Sequence, residues 1–303
     1  MIVSKLFRNR NFIFVLSIVI GLAVGEKGAA LTRPAVLPVL ILIMTVSITT
    51  ITSREFAAIK TMPGQILIAL LINYVVTVGI ILLMGKWLID DSELWTGLVV
   101  FVAVPPAIAA VPWTYVLGGN TLLSLASLMV AYLAALVVTP AIMIAFLGAG
   151  FLKPVELLIL LGELILIPIV VSRILLFTGL NRRIDKWRGT IVDWGFFILF
   201  FTIIGLNRQA FLGEFDILLK LAIIAIVANF GLSYAIELIS KAFHVRQETI
   251  ISLILVGATK NFGLAIGILL TFFSERATIP TSIMTVAFLS LILWLGFHFK
   301  KPT

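Results

Sequence analysis

Lys260 lies in the stretch Val-Gly-Ala-Thr-Lys-Asn-Phe-Gly, residues 256–263, and is the only formal charge in the 25 residues from 249 to 273. As one helix that run would be about 37 Å long, against a hydrocarbon thickness of about 30 Å. An ammonium near its middle costs roughly 3 kcal/mol on insertion scales, so a charge kept there is read first as functional. Gly257 and Gly263 flank Thr259, Lys260 and Asn261. Three successive polar side chains cannot all turn inward from a continuous helix, whereas an unwound crossover satisfies them. Beyond it, Gly263 and Gly267 form a small-xxx-small pattern that permits close helix approach.

A second stretch, Val-Pro-Pro-Ala-Ile-Ala-Ala-Val-Pro at 104–112, concentrates Pro105, Pro106 and Pro112. Each lacks an amide hydrogen and clashes with the preceding turn, at about 3 kcal/mol in a helix interior. Three within nine residues predict an interrupted helix. Carbonyls freed at membrane depth must then face protein or a water-filled cavity. A proline-kinked packing helix is the plain alternative, and a second interruption five spans later weighs against it.

These segments need an apolar scaffold, and composition supplies one. The chain has 303 residues, of which 61% are hydrophobic and 12% charged, against about 25% charged in soluble domains. Residues 94–152 carry no Asp, Glu, Lys or Arg. The fold class expected is an all-α polytopic membrane protein. Ten apolar runs are readable, at 11–25, 34–51, 65–88, 94–118, 121–147, 154–179, 190–207, 216–239, 249–273 and 279–298. The basic start followed by an apolar run resembles a signal peptide, but no small-x-small cleavage site follows it, and it is read as a retained first span.

Lys5, Arg8, Arg10, Arg54, Lys60, Arg182, Arg183, Lys186, Arg188, Lys241, Arg246, Lys300 and Lys301 fall on one side of these spans. Lys27, Arg33, Lys86, Lys153, Arg208, Lys220 and Arg276 fall on the other, so both termini are expected in the cytoplasm, with the chain multi-pass in the inner or plasma membrane. The net charge of +8 is spread over span ends, which suits topology and anionic headgroups rather than nucleic acid. Ten spans divide into two five-helix halves of opposite orientation, 1–150 and 151–303. The interruptions in spans four and nine occupy matching places, as in inverted-repeat transporters.

The residues at 104–127, with Thr114, Tyr115, the Gly119-Asn120 turn and the later Thr139-Pro140, resemble the bile acid:sodium symporter family of the bile/arsenite/riboflavin transporter superfamily. The run Lys260–Ala265 resembles that family's Gln-Asn-Ser-Gly-Leu-Ala segment, and 228–234 resembles its preceding span. The resemblance implies two inverted five-helix repeats with crossing broken helices four and nine. It also implies a panel domain of spans 1, 2, 6 and 7, a core domain of spans 3–5 and 8–10, and carriage of organic anions driven by sodium. Carried over, the substrate and transport crossover comprises Pro105, Pro106, Pro112, Thr114, Thr259, Lys260 and Asn261. The departures bear on the sodium sites. Ala110 and Val111 stand where the family has a Ser-Asn pair, Val256 where it has a glutamate, and Lys260 where it has a glutamine. Hard cations need oxygen ligands. An ammonium about 4 Å from sodium would also cost about 4 kcal/mol at an effective dielectric near 20.

The expected role of Lys260 is therefore cation substitution, its three donors reaching carbonyl ends of broken half-helices. Proton coupling is the sharper alternative, with H+ as coupling ion and Na+ disfavoured. Neutralising a free lysine at pH 7 costs about 4.6 kcal/mol, comparable to the desolvation it would relieve. Direct pairing with an anionic substrate is the third reading. Glu163 is the candidate counter-ion, with a protonated or cavity-facing state as alternatives. Arg173 is read as snorkelling, Asp193, Glu237, His244 and His298 as interfacial, and Asn73 and Asn229 as helix-to-helix hydrogen bonds.

The absence of cysteine removes thiolate chemistry, and no metal or other cofactor is expected. No His-Glu-x-x-His, Gly-x-Ser-x-Gly or paired-carboxylate motif is present; Asp90-Asp91 reads as a solvated loop and Gly85-Lys86 runs into Trp87, so neither enzyme chemistry nor ATP drive is expected. The function expected is secondary-active transport of a small or amphipathic organic anion, without coupling to two sodium ions. The partners are that anion and the lipid bilayer, with no obligatory protein partner. A sodium-coupled symporter, a passive channel and an arsenite-type efflux carrier are the alternatives.

Overall fold

The computed structural model describes residues 9–49, 60–148 and 154–299. Lys5, Arg8, Arg54, Lys153, Lys300, Lys301 and the expected repeat boundary at residue 150 lie outside them. The described residues are mostly helical, with no strand among them. Seventeen α-helices are numbered here in chain order: α1 Arg10–Val24, α2 Glu26–Thr32, α3 Val36–Ile48, α4 Pro63–Leu71, α5 Thr77–Leu88, α6 Ser92–Ala103, α7 Ala110–Val116, α8 Thr121–Leu147, α9 Pro154–Phe177, α10 Asn181–Ile184, α11 Arg188–Leu206, α12 Arg208–Gly213, α13 Phe215–Ile226, α14 Leu232–Ala242, α15 Gln247–Gly257, α16 Phe262–Phe272 and α17 Ile279–His298.

Among the described residues, eight helical stretches are long and apolar enough to cross a membrane, and Phe12–Val24 and Ser92–Ala103 are shorter. The two short ones are the first and fourth of the ten expected spans. The second span is longer than its apolar run, because Glu26, Lys27 and Arg33 are helical and exposed rather than loop residues. Pro34 is accommodated in a 3-10 turn, Arg33–Ala35, between α2 and α3. Pro140 and Pro168 sit inside α8 and α9 without ending them.

The helices begin where short polar side chains can take their free amides. Asn9 accepts from Phe12 N, Asp91 from Glu93 N and Leu94 N, Asn120 from Leu123 N, and Asn261 from Leu264 N. Each satisfies donors that no intrahelical carbonyl reaches.

Packing divides the helices into two sets. α11 lies against α1, α2 and α3, and α9 lies against α3. α8 lies against α4, α6, α7 and α15, while α13 lies against α17. Between the sets, α16 touches α3 and α9, and α17 touches α11. The stretch 247–272 is 94% buried in its most apolar window, against 28–56% for the other candidate spans, so it is the centre of the molecule. Its glycines allow the approach. A Cβ on Gly263 would come within 2.5 Å of Leu40, and one on Gly267 within 3.1 Å of Leu40 and 3.3 Å of Leu164.

Among the described residues, two π turns occur, Ile72–Val76 between α4 and α5 and Val227–Gly231 between α13 and α14. Each turn buries one asparagine, Asn73 or Asn229. At one end of the bundle Arg276 binds Glu214 through two hydrogen bonds of 2.7 Å and Asp91 at 2.9 Å. The hydrogen bonds from Arg276 hold the Glu214 carboxyl below its ordinary range. Burial raises Asp91, but the amides of Leu94 and Glu93 together with Arg276 outweigh it and hold that carboxyl low as well.

Candidate functional site

Both expected interruptions are present. α6 ends at Ala103 and α7 starts at Ala110; α15 ends at Gly257 and α16 starts at Phe262. They meet, since Asn261 N donates to the Pro105 carbonyl at 2.8 Å. Pro105 and Pro106 are buried in the first break. Pro112 is not part of it. It occupies the first turn of α7, where the amide has no intrahelical partner and proline is tolerated, and it is exposed.

Lys260 lies between the breaks with 4% of its surface exposed. Its ammonium donates to Asn73 Oδ1 at 2.7 Å and to the Val104 carbonyl at 3.2 Å, and stands 4.7 Å from the centroid of the Tyr74 ring. Three N–H directions thus meet two oxygens and a π-face, all uncharged. Among the described residues no carboxylate joins them. Glu163 is exposed on α9, so the structure does not bring the candidate counter-ion to the amine. The register of α9 gives the reason: Leu161, Leu164 and Ile165 take its buried face and leave Glu163 outside.

Asn73 does more than the helix-to-helix bonding expected of it. Its amide nitrogen reaches the carbonyls of Val256 at 2.9 Å, Gly257 at 3.2 Å and Thr259 at 2.8 Å, where α15 ends. Thr77 Oγ1 donates to the Gly257 carbonyl at 2.8 Å. These carbonyls lack the amides that a continuing helix would supply, and the π turn carries Asn73 to them. The only sequence signal was an Asn-Tyr pair inside an apolar span. Tyr132 was missed as well; its hydroxyl donates to the Pro106 carbonyl at 3.2 Å and accepts from Asn261 Nδ2.

The remaining candidates hold backbone. Thr259 Oγ1 donates to Leu255 O at 2.6 Å. Asn261 caps α16 and ties the two breaks together. Thr114 bonds Ala110 O at 2.7 Å and Ser124 Oγ at 2.9 Å, fastening α7 to α8. Thr139 of the Thr-Pro pair donates to Ala103 O at 2.8 Å, the last carbonyl of α6.

Away from the breaks, Arg173 reaches the Ile48 carbonyl at 3.0 Å, at the C-terminal end of α3 where a cation is favoured. Asp193 and Glu237 are buried within the bundle rather than exposed at its surface. Glu237 is held by Lys241 at 2.6 Å and by His298 at 2.9 Å, so a local ion pair and a ring from α17 offset its burial.

An apolar cleft adjoins the breaks on the side of α3 and α11. Leu40, Ile43, Met44 and Phe196 line it, together with Ala107–Ala109 and with Asn261 and Phe262. Phe262 packs on Phe196 at 5.1 Å and Phe200 at 5.3 Å between ring centroids. The cleft's walls are hydrophobic with one amide side chain, and its accessible space is about that of one water molecule.

Comparison with curated proteins finds no match. A family model described as Sodium Bile acid symporter family matches residues 37–205, which includes the first interruption and ends before the second. That match covers more than half of the 303 residues. The chain belongs to the sodium bile acid symporter family, and is thus a multi-pass membrane transporter of that type and not an enzyme.

Proposed function

We propose that the chain is a secondary-active transporter of a small or amphipathic organic anion, working by alternating access, in which the Lys260 amine takes the place of a coupling cation. The observation that carries this is the seat of the ammonium. It rests on a side-chain oxygen and a backbone carbonyl, between two helix interruptions, with no counter-charge in contact among the described residues. Oxygen ligands of that kind would serve a hard cation. With a fixed charge in place, a second cation there would meet repulsion of about 4 kcal/mol at an effective dielectric near 20. Two-sodium coupling is excluded on this reading.

The wider architecture in this proposal is ten spans in two inverted five-helix repeats. α1 and the broken α6–α7 pair complete the eight longer spans. Two pairs of features support it: the interruptions at 104–109 and 258–261, and the π turns Ile72–Val76 and Val227–Gly231 in the spans just before them. The packing supports a panel of spans 1, 2, 6 and 7 beside a core of spans 3–5 and 8–10. Both termini are assigned to the cytoplasm of a cell membrane, from the distribution of Lys and Arg.

The test is uptake of a radiolabelled bile acid by proteoliposomes, with sodium or choline as the external cation and with pH varied. The proposal expects saturable uptake and counterflow that do not need sodium. Lys260→Gln and Lys260→Met should lower uptake, and loss of any pH dependence in both would assign the coupling proton to Lys260. Uptake that requires sodium in the wild type, or unsaturable flux, would overturn it.

A further inference from the structure

Lys260 also lines a small cavity, separate from the apolar cleft, together with Asn229, Thr259, Thr285, Phe101 and Met284. It has room for about one water molecule. The polar chemistry of its wall is one-sided. Thr259 and Thr285 each give their single hydroxyl hydrogen to a carbonyl of their own helix, Leu255 O at 2.6 Å and Thr281 O at 2.7 Å. Asn229 Nδ2 donates to Ala225 O at 2.9 Å. What the two threonines have left to offer is oxygen lone pairs, and Asn229 keeps its side-chain oxygen and one amide hydrogen.

Phe101, also in the wall, has a backbone carbonyl without its helical partner. In α6 its carbonyl would pair with the amide of residue 105, which is a proline and has none. The next three carbonyls mark the contrast. Val102 faces the same lack at Pro106, while Ala103 O is taken by Thr139 and Val104 O by Lys260. Two donors of Lys260 go to Asn73 and Val104, and its ammonium faces the Tyr74 ring. The cavity therefore holds more buried acceptors than donors, which is costly unless a donor-bearing ligand enters. A second cation is opposed by the ammonium in the same wall. Water brings two donors and no charge.

We propose that this cavity is a water-binding site, in which one water donates to the Asn229 side-chain oxygen and to the carbonyl left unpaired by Pro105. The site puts a polar, exchangeable neighbour beside the Lys260 amine at membrane depth, on the side of the Val227–Gly231 turn, α16 and α17. It stands independently of which ion or solute is carried.

Radiolytic hydroxyl-radical footprinting of the purified full-length chain tests it, because radicals form from water where the water sits. Met284 and Met143 are equally buried, at 1% and 0% exposure, but only Met284 lines the cavity. Met284 is expected to be oxidised to its sulfoxide several-fold faster than Met143. Asn229→Leu and Thr285→Val should each bring Met284 down toward the Met143 rate. Thr285→Val keeps the side chain's shape and decides the matter if Asn229→Leu unfolds. Equal rates for the two methionines in the wild type, or a Met284 rate that the folded variants leave unchanged, would overturn the proposal.

Discussion

Asn73→Leu is the perturbation that most sharply separates a seat for the ammonium from ordinary helix packing. The amide's two hydrogens are shared among the carbonyls of Val256, Gly257 and Thr259, and its oxygen takes the Lys260 ammonium at 2.7 Å. Two neutral hydrogen bonds contribute about 1 kcal/mol each and a charge-assisted one about 2 kcal/mol, so the single substitution should cost about 4 kcal/mol of unfolding free energy. Much of that cost is a buried ammonium left with one oxygen partner. In a Lys260→Met background that part vanishes, and Asn73→Leu should cost only about 2 kcal/mol. The double-mutant cycle is predicted to show a coupling of about 2 kcal/mol. Reversible unfolding in mixed micelles, followed by far-ultraviolet circular dichroism, measures all four corners. Additivity within about 0.5 kcal/mol would refute the reasoning, because it would mean that the two side chains do not act as a pair.

Thr139→Val leaves the Ala103 carbonyl buried without its donor and should destabilise by about 1–3 kcal/mol in the same unfolding assay. Gly263→Val drives a Cβ against Leu40 and should cost about 1–3 kcal/mol, whereas Gly64→Ala, with no neighbour within 4 Å, should be neutral or slightly stabilising. The Glu214 and Asp91 carboxyls are held low by Arg276, so their contribution is present above the ordinary carboxylate pKa of about 4 and is lost as pH falls through the lowered values. Arg276→Met should therefore flatten the acid side of the stability profile below about pH 4 while leaving its shape near neutrality unchanged, as thermal unfolding across pH would show.

The interruptions were legible in the sequence because each depends on local chemistry. Pro105 and Pro106 remove consecutive amides from one helix, and Thr259, Lys260 and Asn261 give three consecutive polar side chains to the other. The misreading of Pro112 shows the limit of that logic, since the same residue that breaks a helix interior begins a helix without cost. Asn73 could not be found this way. Its importance comes from a π turn and from carbonyls 183–186 positions away in sequence, and neither leaves a local signature. Glu163 failed for the opposite reason. Its charge at membrane depth attracted a functional reading, but rotation of α9 about its axis decides what it meets, and the buried leucines fix that rotation. Charge near a span end was likewise a poor guide to exposure, as the burial of Glu237 against Lys241 and His298 shows.

The most direct measurement is a sodium titration of the purified chain, with choline chloride keeping ionic strength constant and thermal unfolding as the readout. If the Lys260 amine already occupies the cation's place, sodium should produce no saturable rise in the unfolding temperature, with or without a bile acid present. A saturable sodium-dependent rise in the wild type, with lysine still at position 260, would contradict the account.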